Sequence, residues 1–150
     1  MVILMNIKDI VKYSIITCDI NNNLENISKI MKKSDIGFIP ITKDNIIIGV
    51  VTDRDIVIRG LAKGIDNLEY IISTNIISID ITSNIEKALE YYSKYKIKRL
   101  LVTENNKYIG VLSINDIIKI YNDKKILDTL KDIFSEKNIN MNTEVDEFIL

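Results

Sequence analysis

A chain of 150 residues with 47% hydrophobic content can bury one compact core or two intimately packed half-domains. Its 27% of charged residues nearly cancel to a net charge of −1, which offers no basic field for nucleic acid and no strong acidic tail. Histidine is absent and cysteine occurs once, at Cys18, which excludes histidine-based acid–base catalysis, Ser-His-Asp and Cys-His sites, His-ligated metal, thiolate zinc clusters and any intramolecular disulfide.

The five glycines, at 37, 49, 60, 64 and 110, form no GxGxxG or P-loop pattern. Charged or amide residues interrupt every apolar run before the roughly eighteen residues of a membrane span. The opening MVILM is too short for a signal-peptide core. The expectation is a soluble, cytoplasmic protein with no membrane or nucleic-acid partner.

In chain order, a leader at 6–11 (NIKDIV) precedes a β-branched run at Ile15–Ile20, which predicts a short strand. Asn-rich positions 21–23 can cap the helix that Leu24, Ile27, Ile30 and Met31 describe by their spacing, to about Ser34. Residues 36–41 (IGFIPI) and 46–51 (IIIGVV) read as strands buried on both faces, joined by a turn at 43–45. A helix from about Asp53 to Lys63 follows, with Gly64 as its C-terminal stop.

The same order then returns without a gap, sixty-one positions later. A second leader at 67–72 (NLEYII) precedes a strand at 76–81. A helix follows, with Ser83 and Glu86 as a possible capping box and Ile85, Ala88, Leu89 and Tyr92 on its buried face. Strands at 97–102 (IKRLLV) and 107–112 (KYIGVL) turn at Asn105-Asn106, and a helix runs from about Ile114 to Tyr121. Repeats of this kind dictate architecture. The expected fold is α/β (α+β): two pseudo-symmetric β-α-β-β-α units, covering 6–64 and 65–121, with matching clefts where the halves meet. Residues 122–150 lie outside the repeat, with Ile126, Leu127, Leu130, Ile133 and Phe134 spaced for an amphipathic helix. That helix suits packing on the pair or on a second subunit, or docking to another protein. The end, NTEVDEFIL, is acidic with an apolar tip.

Both units keep Gly-x-x-[Thr/Ser]-x-x-Asp between third strand and second helix, as Gly49, Thr52, Asp55 and Gly110, Ser113, Asp116. Two readings of it stand. A hydroxyl at the N-cap and a carboxylate three residues on stabilise a helix start on their own account. The same groups beside free N–H groups can also accept the two hydroxyls of a ribose and hold a phosphate. Glycine there lets a ligand or a neighbouring strand approach closely.

The tandem units, with GVVTDRDI and GVLSINDI as their motifs and IGFIPI with Pro40 and IKRLLVT as their second strands, resemble a pair of CBS (cystathionine-β-synthase-type) domains of the stand-alone bacterial or archaeal kind. The resemblance covers about 6–121. It implies a non-catalytic regulatory module, with no required cofactor and no metal, whose two clefts take an adenosine-containing ligand: AMP, ADP, ATP or S-adenosylmethionine. It further implies sensing of energy status, a homodimer, and an unidentified regulated protein. By matching position, Asp55 and Asp116 would bind ribose hydroxyls, with Thr52 and Ser113 beside the ribose or phosphate and Thr17 and Ser78 near the base. Lys98 and Arg99 occupy a place where relatives carry phosphate-binding residues. The alternative is a dimerising scaffold with vestigial clefts.

The copies differ where Gly37-Phe38 stands against Lys98-Arg99. A guanidinium grips phosphate bidentately and a phenyl ring cannot, so the cleft with Lys98 and Arg99 is expected to prefer phosphorylated ligands. Those two residues can equally solvate a strand end. Arg59 can reach a phosphate or pair with Asp55 on its own helix. Tyr91, Tyr92 and Tyr95 form a stripe that reads as packing, and Cys18 as a small buried hydrophobe.

Overall fold

The structure, a computed structural model, describes residues 5–121 and 123–135. The acidic, apolar-tipped end of the sequence lies outside them. The first half runs β1 (Cys18–Asp19), α1 (Leu24–Ser34), β2 (Phe38–Lys43), β3 (Ile46–Thr52) and α2 (Asp53–Asp55). Past α2 the helix continues with π geometry over Ile56–Gly60 and a 3-10 turn over Leu61–Lys63, ending where Gly64 takes φ +64°. The second half runs β4 (Ser78–Asp80), α3 (Ile85–Tyr95), β5 (Arg99–Glu104), β6 (Lys107–Ser113) and α4 (Ile114–Ile118), and α5 (Lys124–Phe134) follows. Each half is an α/β unit with a three-stranded sheet, β1-β2-β3 or β4-β5-β6, parallel in its first pair and antiparallel in its second.

The hairpin turns lie at Asp44-Asn45 and Asn105-Asn106, all four residues at positive φ, a conformation asparagine and aspartate tolerate. Each second strand shifts register by one residue after Ile41 or Val102, a bulge that both halves keep.

The first strands are shorter than their apolar runs suggest, and the two differ. In the second half Leu101 N–H donates to Ile77 O at 3.3 Å and extends β4 to Ser78. Pro40 stands at the matching place in β2 and has no N–H to donate, so β1 begins only at Cys18. Asn84, and not Ser83, caps α3: its side chain accepts from Lys87 N–H at 2.9 Å, while Ser83 N–H is bound to Asp80 O in the preceding turn. Asn23 does the same for α1, accepting from Asn26 N–H at 2.8 Å. Glu86, freed from the expected capping box, accepts from the Tyr121 hydroxyl at 3.2 Å. The helix after β6 ends at Ile118, short of Tyr121.

Two apolar cores form, and each is completed by the other half's leader. Ile7 and Val11 pack with Ile79, Ile85, Leu100 and Leu112, whereas Leu68, Ile71 and Ile72 pack with Leu24, Ile27, Ile39 and Val51. Backbone pairs fix this exchange: Lys12 with Val111 at 3.1 and 2.9 Å, and Ser73 with Val50 at 2.8 and 2.9 Å. Gly49 and Gly110 exist for it. A Cβ on Gly110 would stand 2.6 Å from Lys12 O, and one on Gly49 would stand 2.9 Å from Ser73 O. The close approach is by a strand.

Helix α5 lies against α3, with Ile126, Thr129 and Ile133 buried. Tyr92 is fully buried and its hydroxyl donates to Leu112 O at 2.8 Å, whereas Tyr91 and Tyr95 meet edge to face nearer the surface. Burial, then the charge of Asp116, push the Tyr92 phenol well above its usual range. Unfolded tyrosine ionises near pH ~10 while folded Tyr92 keeps its proton, so its contribution is complete below about pH 10 and falls at up to ~1.4 kcal/mol per pH unit above it. Tyr92→Phe should therefore cost about 1 kcal/mol near neutrality, with the difference from wild type shrinking as urea titrations move above pH ~10.

Candidate functional site

The two Thr/Ser-x-x-Asp motifs start their helices in different ways. Thr52 and Asp55 form a complete capping box: Asp55 N–H donates to Thr52 Oγ1 at 3.1 Å, and Asp55 Oδ2 accepts from both Thr52 N–H and the Thr52 hydroxyl at 2.9 Å. Arg59 lies 3.7 Å from Asp55 Oδ1, one turn along, as expected for a helix-surface pair. It also reaches off the helix, to Ser73 Oγ at 3.2 Å and Ile72 O at 3.3 Å.

Ser113 instead accepts from Asn115 N–H at 3.2 Å and leaves Asp116 out of the cap. The Asp116 side chain is only 13% exposed; Oδ1 lies 3.2 Å from Lys12 Nζ and 3.9 Å from Lys119 Nζ. Its Oδ2 is buried and has no hydrogen-bond partner among the described residues. A buried carboxylate oxygen without a donor is costly, and such orphans ask for a ligand or water.

Asp116 opens on a cleft of about 390 Å³ built from both halves. Lys12, Ser14, Ile15 and Ile16 form one wall, Asp35, Ile36, Phe38 and Pro40 another, and Arg99, Val111, Ser113, Asn115 and Lys119 the third. Leader exchange explains the first wall, because pairing with Val111 draws Lys12 across to the second half. Antiparallel register explains the third, setting Arg99 opposite Ser113 just as Phe38 stands opposite Thr52. The Arg99 guanidinium lies 6.0 Å from the Phe38 ring centre, so the residues that distinguish the halves face each other across the cleft.

Of the residues expected to bind ligand, Arg99, Ser113 and Asp116 share this cleft. Thr52 and Asp55 sit at the matching position of the other half. Ser78 opens β4 and Thr17 lies next to Ile16, yet neither lines the cleft. Lys98 does not line it either: its ammonium lies 4.6 Å from the Phe134 ring of α5. The Gly37/Lys98 difference also has a packing cause. A Cβ on Gly37 would stand 2.7 Å from Asp53 Oδ2, whereas apolar Ile114 takes the place of Asp53 in the second half. Lys12, Asp35 and Lys119 were not singled out by sequence reasoning. The exact repeat offset could have flagged Lys12 as the counterpart of Ser73.

Among the described residues no group of acidic or cysteine side chains could hold a metal, and no helix is long and apolar enough to cross a membrane. The lone Cys18 is free and buried, which raises its thiol pKa.

Comparison with known proteins points one way. The family model described as "CBS domain" matches residues 7–61 and 68–123. The CBS domain-containing protein YhcV of Bacillus subtilis is 26% identical over 115 residues, covering 75% of this chain and 82% of its own. The CBS domain pair of protein MJ0100, solved in complex with 5'-methylthioadenosine and S-adenosyl-L-methionine, superposes with a TM-score of 0.73 at 25% identity, over 79% of this chain and 96% of that one. A CBS domain protein of Thermoplasma acidophilum, TA0289, shares the fold with a TM-score of 0.78 at 16% identity, over 89% and 78% of the two chains. The chain belongs to the CBS-domain family and carries two of its domains in tandem.

Proposed function

We propose that the protein is a non-catalytic sensor that binds an adenosine-containing ligand between its two halves and passes the bound state to a partner protein. The observation that carries this reading is Asp116 on the wall of a cleft that both halves build, a nearly buried carboxylate whose Oδ2 has no partner among the described residues. A ribose supplies two adjacent hydroxyl donors, which is what a carboxylate with a spare oxygen needs. The MJ0100 pair, solved with two adenosyl compounds, lends support to the ligand class.

Lys12, Lys119 and Arg99 outnumber Asp35 and Asp116 around the cleft, which favours AMP, ADP or ATP over the cationic S-adenosylmethionine. Thr17 adjoins Ile16 of the first wall and could approach a base, Ser78 holds the matching position in the other half, and Lys98 could join a phosphate site only by leaving Phe134. Relay would be by population shift, because a ligand touching both halves stabilises one relative arrangement of them. A cytoplasmic setting suits the reduced, buried Cys18. In a thermal melting panel of AMP, ADP, ATP, S-adenosylmethionine and NAD, a ligand at about one hundred times its Kd should add roughly 2.7 kcal/mol. A flat panel would favour the scaffold reading, which the fully satisfied capping box of Asp55 also supports.

The partner copy would be a second chain. Val57, Ile58 and Leu61 on one second helix, and Ile118 and Ile120 at or beyond the end of the other, expose apolar side chains. Val57 and Ile118 are sixty-one positions apart, so one exposed apolar position recurs in both halves, and the patch around it suits a self-complementary contact. Sedimentation should give a dimer for wild type and a monomer for Val57→Lys with Ile118→Lys; a monomeric wild type removes the idea.

A further inference from the structure

We propose that Arg59 closes the cleft beside Asp55, so that the pair binds one adenosyl ligand, at Asp116, rather than two. The proposal rests on the adenosyl-binding reading above and adds which of two symmetry-related carboxylates is open. Three observations converge on it.

First, the Asp55 carboxylate is already used. Its Oδ2 takes two donors from Thr52 and its Oδ1 faces Arg59 at 3.7 Å, so a ribose would have to displace internal partners. Asp116 pairs through Oδ1 with the exposed Lys12 at 3.2 Å, but its Oδ2 has no partner to displace among the described residues.

Second, Arg59 bridges Asp55 and the end of the exchanged leader. Its guanidinium is held by Ser73 Oγ and Ile72 O while it pairs with Asp55, tying the exchanged leader to the helix. Ser73 is the counterpart of Lys12, which lines the open cleft, so the pinned leader is the corresponding wall. The counterpart of Arg59 is Ile120, which has no donor to form such a clamp.

Third, the backbone under Arg59 is specialised. The helix continues past Asp55 with π geometry over Ile56–Gly60, whereas in the second half the α-helix ends at Ile118, two residues into the matching stretch. Gly60 lets the helix settle inward: a Cβ there would stand 2.6 Å from Leu24 Cδ1 and 3.2 Å from Ile71 Cδ1. Tyr121 occupies that position in the second half and forbids the same approach. The first half is thus built to hold its arginine over the carboxylate.

The test is calorimetric stoichiometry with AMP and S-adenosylmethionine as probes, on wild type, Asp116→Ala and Arg59→Ile, the last installing the residue the second half carries. For whichever probe binds, wild type should take one equivalent, Asp116→Ala should lose that site, and Arg59→Ile should gain a second. Two equivalents on wild type, an undiminished site in Asp116→Ala, or a folded Arg59→Ile that still takes one, would each overturn the closure while leaving adenosyl binding intact. Wild type that takes neither AMP nor S-adenosylmethionine, nor ADP or ATP, would overturn the binding reading and this proposal with it. Should Arg59→Ile show no cooperative melt, the wild-type stoichiometry and the Asp116→Ala result still decide.

Discussion

Gly110→Ala should destabilise the protein by about 3 kcal/mol, the upper part of the range for overpacking a close contact. The new methyl would lie 2.6 Å from Lys12 O and 2.7 Å from Val11 Cγ2, and the first of these is backbone that also accepts the Val111 N–H bond. Nothing flexible stands there to yield. Gly49→Ala should cost less, because its nearest approaches are 2.9 Å to Ser73 O and 3.0 Å to the movable Ile72 Cδ1. Urea denaturation would rank them, and negligible losses at both would refute leader exchange as the reason for the two glycines. A functional difference follows as well. Gly110→Ala displaces the Lys12–Ile16 wall and should weaken AMP binding, whereas Gly49→Ala disturbs only the leader of the opposite cleft.

The second large effect is expected at the paired aspartates, with opposite signatures. Asp116→Ala should weaken AMP binding roughly 30-fold or more, since charge-assisted hydrogen bonds contribute about 2 kcal/mol each. Its melting temperature should hold or rise. The residue lost is a carboxylate with an unpaired oxygen, and its contact with Lys12, itself 68% exposed, is worth less than about 1 kcal/mol. Asp55→Ala should instead lower stability by about 1 kcal/mol, through loss of a capping box. Binding residues tend to be locally unfavourable and capping residues locally satisfied, so the contrast separates the two roles one motif can play. Equal stability losses at both positions would show that Asp116 is only a second cap.

Much of the fold was legible in the chain because its signals are local. The sixty-one-residue register, the Asn turns, the Gly64 stop and the apolar faces of α1 and α3 each depend on near neighbours. Even the misplaced cap was recoverable, since Asn84 stands where Asn23 does and the repeat predicts that both serve alike. What escaped depends on pairings far apart in sequence. Leader exchange is one, and it brought Lys12 to a carboxylate more than a hundred positions away. Lys98 is another: a helix outside the repeat draws its ammonium over Phe134, so the side chain that chemistry assigns to phosphate has a different neighbour. Pro40 is the subtlest, because a strand shortened by one missing N–H looks identical in hydrophobic pattern.

The site shows the same division. Sequence paired Thr52 with Asp55 and Ser113 with Asp116 as equivalents, and their spacing is identical. Only the hydrogen bonds separate them, one hydroxyl binding its aspartate and the other turning to Asn115.

The most direct test of ligand binding between the halves is amide chemical-shift mapping of the wild-type protein titrated with AMP. The account predicts saturable shifts concentrated at Lys12–Ile16, Asp35–Phe38 and Val111–Lys119, three stretches distant in sequence that meet only at the cleft. Shifts confined to one half, or none up to the highest AMP concentration the sample tolerates, would contradict it.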